Sequence, residues 1–222
     1  MAKTGKQRKP NYLFVWFSKI TGWLPVYIFF KPKLYYMNKK VQGRRIKGPA
    51  ILMSNHTALL DFWMYLLIFW DRVPRFIMAE VLFKKGKFLN WMLYAMGGIY
   101  LNRDNVGFSF VTESLETLDK GGVVGVFPQG RLPVDGQKFP FKPGIAMIAT
   151  KTDAPIIPVY TDGNYGIKKR AHVMIGEPIR LSDYFDCKNP SKEDLNKMTE
   201  FLSAKEDELE EELKRRMKKE GK

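Results

Sequence analysis

The stretch AILMSNHTALLDFWMYLL, residues 50–67, decides how this chain is read. Its first five residues are a short, almost wholly apolar run, the pattern of a strand covered on both faces of a sheet. From residue 60 onward the run is longer and suits a helix. The intervening residues are small or polar and suit a turn. This strand, turn and helix unit is the building block of an α/β domain.

The same alternation continues outward from it. Apolar runs bounded by turn residues predict strands at 41–46, 50–54, 75–78, 99–101, 123–127, 156–159 and 172–175. Helical patterns fit 60–70, 88–96, 106–118 and 144–150, and a long final helix begins at 192 and runs to Lys219. That helix opens with Ser191 and Asp194 as a capping box and carries a loose stripe of Leu195, Met198, Leu202, Leu209 and Leu213. The stripe predicts a helix packed on the domain at its start and solvated at its end, with Glu206 to Glu212 on the solvated face. The fold expected is α/β, with a mixed, mostly parallel central sheet flanked by helices and preceded by a helical membrane anchor. Its parts are an anchor over 1–40, an α/β domain over 41–190 and an amphipathic helix over 191–222.

Charge explains why an anchor is expected. The chain of 222 residues has a net charge of +14, and residues 1–50 hold twelve Lys or Arg with no Asp or Glu. A basic front end suits anionic partners. Tyr12–Phe30 reads YLFVWFSKITGWLPVYIFF, interrupted by Ser18, Lys19, Gly22 and Pro25. Each apolar half is too short to span a bilayer, which takes about 20 residues. Lysines lie on both flanks, so neither end is biased toward translocation. The segment reads as a monotopic anchor with Trp16, Trp23 and the tyrosines at headgroup depth, on the cytoplasmic face of a membrane. A buried helical hairpin and a true spanning helix are the alternatives. Nucleic acid is not the expected partner, because the positive charge surrounds an aromatic run and no groove-reading or base-stacking motif. A single cysteine, Cys187, excludes an internal disulfide framework, and two histidines beside it do not make a usual zinc site, so no metal is expected.

Within the deciding stretch, His56 follows the strand and Asp61 opens the helix. Inside one helix a five-residue separation would turn the two side chains about 140° apart. With His56 in the turn before the helix, the carboxylate can fold back onto the imidazole, fixing its tautomer and leaving the other nitrogen as a base. Taken alone, the spacing is also that of a structural histidine held by a helix-start aspartate. Three further segments bear on the choice: GGIYLNRDN ends a strand with Arg103, GVVGVFPQGRL ends another with Gly130 and Arg131, and APIIPVYTDG supplies a third. Glycines and arginines at strand ends let amides and guanidinium groups approach a phosphate or an oxyanion.

In this order the segments resemble the four motifs of the glycerolipid acyltransferase family, typified by 1-acylglycerol-3-phosphate acyltransferases. Asn55, His56 and Asp61 are similar to Asn-His-x4-Asp, and 97–103 to the motif that ends in Arg. Phe127, Pro128, Gln129 and Gly130, with Phe141, Lys142, Pro143 and Gly144 after them, resemble the third block, and 155–159 the last. Two positions depart from the pattern. Gln129 stands where the family has Glu, which removes a negative charge, and Arg131 directly follows the glycine.

The resemblance implies acyl transfer from an acyl thioester, on coenzyme A or acyl carrier protein, to a lysophospholipid hydroxyl, with no other cofactor. It implies His56 as base, Asp61 as its orienting partner, backbone amides near Gly130 for the oxyanion, and Arg103, Gln129, Gly130, Arg131 and Lys142 around the substrates. Anionic membrane lipids are the other expected partner, and the bacterial members carry a similar basic, two-helix anchor. A non-catalytic, membrane-surface lipid-binding module is the alternative that Gln129 favours.

Overall fold

The computed structural model of the chain describes residues 9–102, 108–134 and 137–221. Seven strands form one sheet: β1 (Lys33–Tyr36), β2 (Ala50–Ser54), β3 (Pro74–Ala79), β4 (Ile99–Leu101), β5 (Val123–Val126), β6 (Ile156–Thr161) and β7 (His172–Ile175), in the order β1-β7-β6-β2-β5-β3-β4. Every neighbouring pair is parallel except β6 and β7. The central strands β2, β5 and β6 are buried at every residue, as strands covered on both faces must be. Helices α2 (Asp61–Ile68), α3 (Glu80–Lys84), α4 (Lys87–Ala95), α5 (Ser109–Asp119) and α6 (Gly144–Ala149) fall between strands, and α7 (Lys192–Lys219) closes the chain.

Helix α1 (Tyr12–Phe30) is a single 19-residue helix and not two. Asn11 caps it by accepting from the Phe14 amide at 3.1 Å, and Lys31 ends it in the left-handed conformation at φ 42° just before Pro32. The residues that interrupt its apolar pattern explain why it does not break. Ser18 and Lys19 are buried, and Gly22 lies beside the Trp63 ring. The Lys19 ammonium donates to the Trp70 and Arg72 carbonyls just beyond α2, at 2.8 and 2.5 Å. The polar stripe faces the protein and the apolar face points out: Leu13, Phe17, Ile20, Leu24, Tyr27 and Ile28 are all exposed.

The expected strand at 41–46 is not one. Val41 and Gln42 turn back onto the Asn38 carbonyl, the Gln42 amide is spent on the Gly43 and Arg45 carbonyls, and Arg44 donates to the Leu67 and Ile68 carbonyls at the end of α2. The sheet edge is built instead by Lys33–Tyr36, pairing in parallel with His172–Ile175. Helix α7 differs too, since it stays packed almost to its end. Leu209 and Leu213 are buried with Tyr35, Tyr160 and Met174, and Arg216 donates to the Tyr36 carbonyl. Glu206, expected on the solvated face, is 2% exposed.

Candidate active site

His56 stands in the turn after the central strand β2, and Asp61 is the first residue of α2. The imidazole Nδ1 and Asp61 Oδ2 are 2.9 Å apart. Asp61 is fully buried, and four further donors hold it: the Thr57 and Ala58 amides on Oδ2 at 2.7 and 3.0 Å, and the Thr57 and Tyr165 hydroxyls on Oδ1 at 3.2 and 2.9 Å. An ionised carboxylate has lone pairs enough to accept all of these donors. With Asp61 ionised, Nδ1 carries a proton, and exchange with a substrate falls to Nε2.

Neighbouring strands complete the frame. Asn55 binds both backbone groups of Thr161 at the end of β6, donating to its carbonyl at 2.8 Å and accepting its amide at 2.9 Å. This ties the turn that carries His56 to the next strand. On the other side, Phe127 follows β5 and stacks on the imidazole, with ring centroids 4.2 Å apart and planes 15° apart. Phe127 in turn stacks on Phe76, and Phe76 occupies the space a side chain at Gly125 would need, since a Cβ there would lie 2.4 Å from its ring. The imidazole orientation is therefore set on one edge by a carboxylate and on one face by an aromatic stack rooted in the sheet.

Tyr165 is the residue that motif reading did not single out. Its hydroxyl donates to Asp61 and lies 2.8 Å from Thr57 Oγ1. Its ring meets Phe30, the last residue of α1, edge-on at 4.7 Å. Burial first, and the Asp61 charge second, push its hydroxyl well above the ordinary tyrosine range, so it remains a donor. The only sequence signal was its place just after the strand of the fourth motif.

The third block lies beside this pair through Phe127. Gly130 takes φ +67° and its amide closes a turn onto the Phe127 carbonyl at 2.9 Å, so that amide is committed within the loop. The Lys142 stem lies over Gly130, and its amide donates to the Pro128 carbonyl. Both Lys142 and Arg131 are exposed, Arg131 with its guanidinium over the Phe139 ring at 4.5 Å. Arg103 lies outside the described residues, as do the first two residues of the helix expected at 106–118. Gln129 is buried and gives its side-chain N–H to Glu206 of α7 at 3.1 Å, while its carbonyl oxygen finds no partner among the described residues. Its amide is thus turned into the α7 contact.

Burial pushes the Glu206 carboxyl up to about 7, against the pull of Lys138 and the Gln129 amide. Asp207 and Glu210 lie on the same side and add to the push. Because the folded value lies above the ordinary 4.5, the folded chain holds this proton more tightly than the unfolded one. The stability this contributes is complete below 4.5 and is lost as pH rises through about 7. Glu206→Gln should remove that loss and let the two side-chain amides pair reciprocally. At pH values above the transition the variant should be more stable by about 3 kcal/mol, from a shift of this size at ~1.4 kcal/mol per unit. Urea melts across the pH range check this, and a wild-type midpoint that stays flat would contradict it.

The second histidine makes a similar pair, with His172 Nδ1 and Asp162 Oδ2 2.7 Å apart. It is buried in β7, its Nε2 without a partner among the described residues, whereas His56 keeps part of its ring exposed. Among the described residues no group of three His, Cys, Asp or Glu side chains is placed to hold a metal ion.

An open, mostly parallel sheet with a carboxylate-held imidazole at the carboxyl ends of its central strands has the geometry that a proton-transfer site needs. The chain belongs to the acyltransferase family, whose model matches residues 34–162. It is similar to the 1-acyl-sn-glycerol-3-phosphate acyltransferases of Borreliella burgdorferi, 31% identical over 62% of this chain, and Bacillus subtilis, 30% identical over 61% of it. The matched part spans 60% of the first relative and 69% of the second. The crystal structure of the 1-acyl-sn-glycerophosphate acyltransferase PlsC from Thermotoga maritima is similar over 82% of this chain and 73% of that one, with a TM-score of 0.57 and 25% identity.

Proposed function

We propose that this chain transfers a fatty acyl group from an acyl thioester to the free hydroxyl of 1-acylglycerol-3-phosphate, giving phosphatidic acid at a membrane surface. The observation that carries the reading is the His56–Asp61 pair, 2.9 Å apart with five donors on the carboxylate. His56 Nε2 takes the proton of the acceptor hydroxyl as its oxygen attacks the thioester carbonyl. The ester C–O bond forms, the C–S bond breaks, and the proton passes from the imidazolium to the departing thiolate. Asp61 steadies the imidazolium while it lasts. No covalent acyl-enzyme is needed, because the acceptor oxygen is the nucleophile. Arg131 and Lys142, with Arg103 by resemblance, offer positive charge to the phosphates of acceptor and donor. The donor is acyl-CoA or acyl carrier protein, taken as a substrate, and no other cofactor takes part.

Helix α1 supports a membrane setting. It is long and apolar enough to cross a bilayer. Its inner stripe is buried along the domain at Val15, Lys19 and Phe30, so spanning would draw the Trp70 and Arg72 carbonyls, and α2 just before them, into hydrocarbon. The reading that fits is a helix lying in the interface, apolar face down, on the cytoplasmic side where its lysine flanks meet anionic lipids. Because Phe30 packs on Tyr165 and Tyr165 holds Asp61, the site lies close to the bilayer that supplies the acceptor.

A thin-layer assay with labelled acyl thioester tests this directly. Lysophosphatidic acid should be converted in preference to lysolipids with a neutral or zwitterionic headgroup. Lipid binding without turnover of any of them would favour the non-catalytic alternative, for which the uncharged Gln129 is the specific observation.

A further inference from the structure

Helices α3 and α4 form a hairpin whose exposed side is unlike that of an ordinary surface helix. Phe83 and Leu93 turn inward, while Val81, Phe88 and Trp91 are 52, 73 and 48% exposed. Phe88 and Trp91 lie against each other with ring centroids 6.0 Å apart, and Trp91 also meets Phe14 of α1 at 4.9 Å. The aromatic pair thus continues the outward apolar face of α1 at its Leu13 end. Where the two helices meet, the sequence reads KKGK, and Lys84, Lys85 and Lys87 are all exposed. Among the described residues none of the three is in an ion pair, and no Asp or Glu occurs between Val81 and Leu101. Exposed aromatic side chains flanked only by cations suit a surface that is apolar a few ångströms below a layer of negative charge.

We propose that the α3–α4 hairpin is a second membrane-docking element, in which Phe88 and Trp91 enter the headgroup layer of an anionic bilayer and Lys84, Lys85 and Lys87 contact its phosphates. The proposal rests on the interfacial reading of α1 given above and extends it. One helix lying on a bilayer leaves the chain free to roll about that helix axis. A second contact beside its N-terminal end removes that freedom and fixes how the His56 side of the sheet is presented. An acidic protein would also meet the three lysines, but it would leave Phe88 in water, and the continuity of the aromatic pair with α1 favours the bilayer.

The test uses the full chain with Cys187→Ser, labelled through Phe17→Cys on α1 or Phe88→Cys on the hairpin with a nitroxide or a polarity-sensitive dye. Vesicles of phosphatidylcholine with phosphatidylglycerol are the membrane, and melting curves confirm that each variant folds. Both labels should report an apolar, oxygen-accessible environment on vesicle addition. Changing Lys84, Lys85 and Lys87 to Gln should weaken vesicle binding by about fivefold per lysine, the equivalent of ~1 kcal/mol each. A label at 88 that stays in water while the label at 17 inserts overturns the hairpin proposal and leaves the α1 reading standing. If neither inserts, both readings fall. Unchanged vesicle affinity in the folded lysine variant also overturns the hairpin's role.

Discussion

His56→Ala should lower the rate of acyl transfer by about 10²–10⁴-fold, the range that a positioned general base supplies. The side chain is 16% exposed and, among the described residues, bonds only to Asp61, so its removal uncovers one face of Phe127 without opening the sheet. Melting temperature and vesicle binding should therefore stay close to those of the wild type. Initial rates with saturating thioester and lysophosphatidic acid measure the effect. A rate within about threefold of wild type would mean that His56 removes no proton in the rate-limiting step.

Asp61→Asn is the second large effect, and it reaches stability as well as rate. The carboxylate accepts two backbone amides, two hydroxyls and the imidazole. An asparagine has one oxygen for these donors and turns an NH₂ group toward the rest. If that group faces the imidazole, Nδ1 must accept, and Nε2 then carries the proton and can no longer act as base. A loss on the order of 10³–10⁴ follows, as in other sites where the orienting carboxylate of a catalytic histidine is made neutral. Donors left facing another donor around this fully buried position should also cost about 2–4 kcal/mol of folding free energy. Tyr165→Phe separates the two contributions. It removes one donor and leaves the imidazole tautomer alone, so its rate should fall far less than that of Asp61→Asn. Equal losses in the two variants would mean that the charge on Asp61 is not what matters.

Much of this site is local and therefore readable in one dimension. His56 and Asp61 are five residues apart, and whether they meet depends only on where a turn ends and a helix begins. The parallel sheet was legible because its central strands are short, wholly apolar and separated by helical stretches. The edge was not. Lys33–Tyr36 looks no more strand-like than 41–46, and what chose between them was that β7 offers a free edge while Arg44 and Gln42 find carbonyl partners elsewhere. The same holds for α1, whose interruptions read as breaks until its lysine is seen to have two carbonyls waiting for it.

The amino-acid sequence by itself determined the basic, aromatic front end, the α/β class, the proximity of the imidazole to its carboxylate and the order of the motif segments, because each depends on neighbours within a few turns of chain. Only the tertiary structure decided that Tyr165 reaches back 104 positions to Asp61, that Glu206 lies under Gln129 across 77, and that the polar side of α1 faces inward. Contacts of that span depend on how the elements pack, and no local spacing of residues records which distant groups packing will bring together.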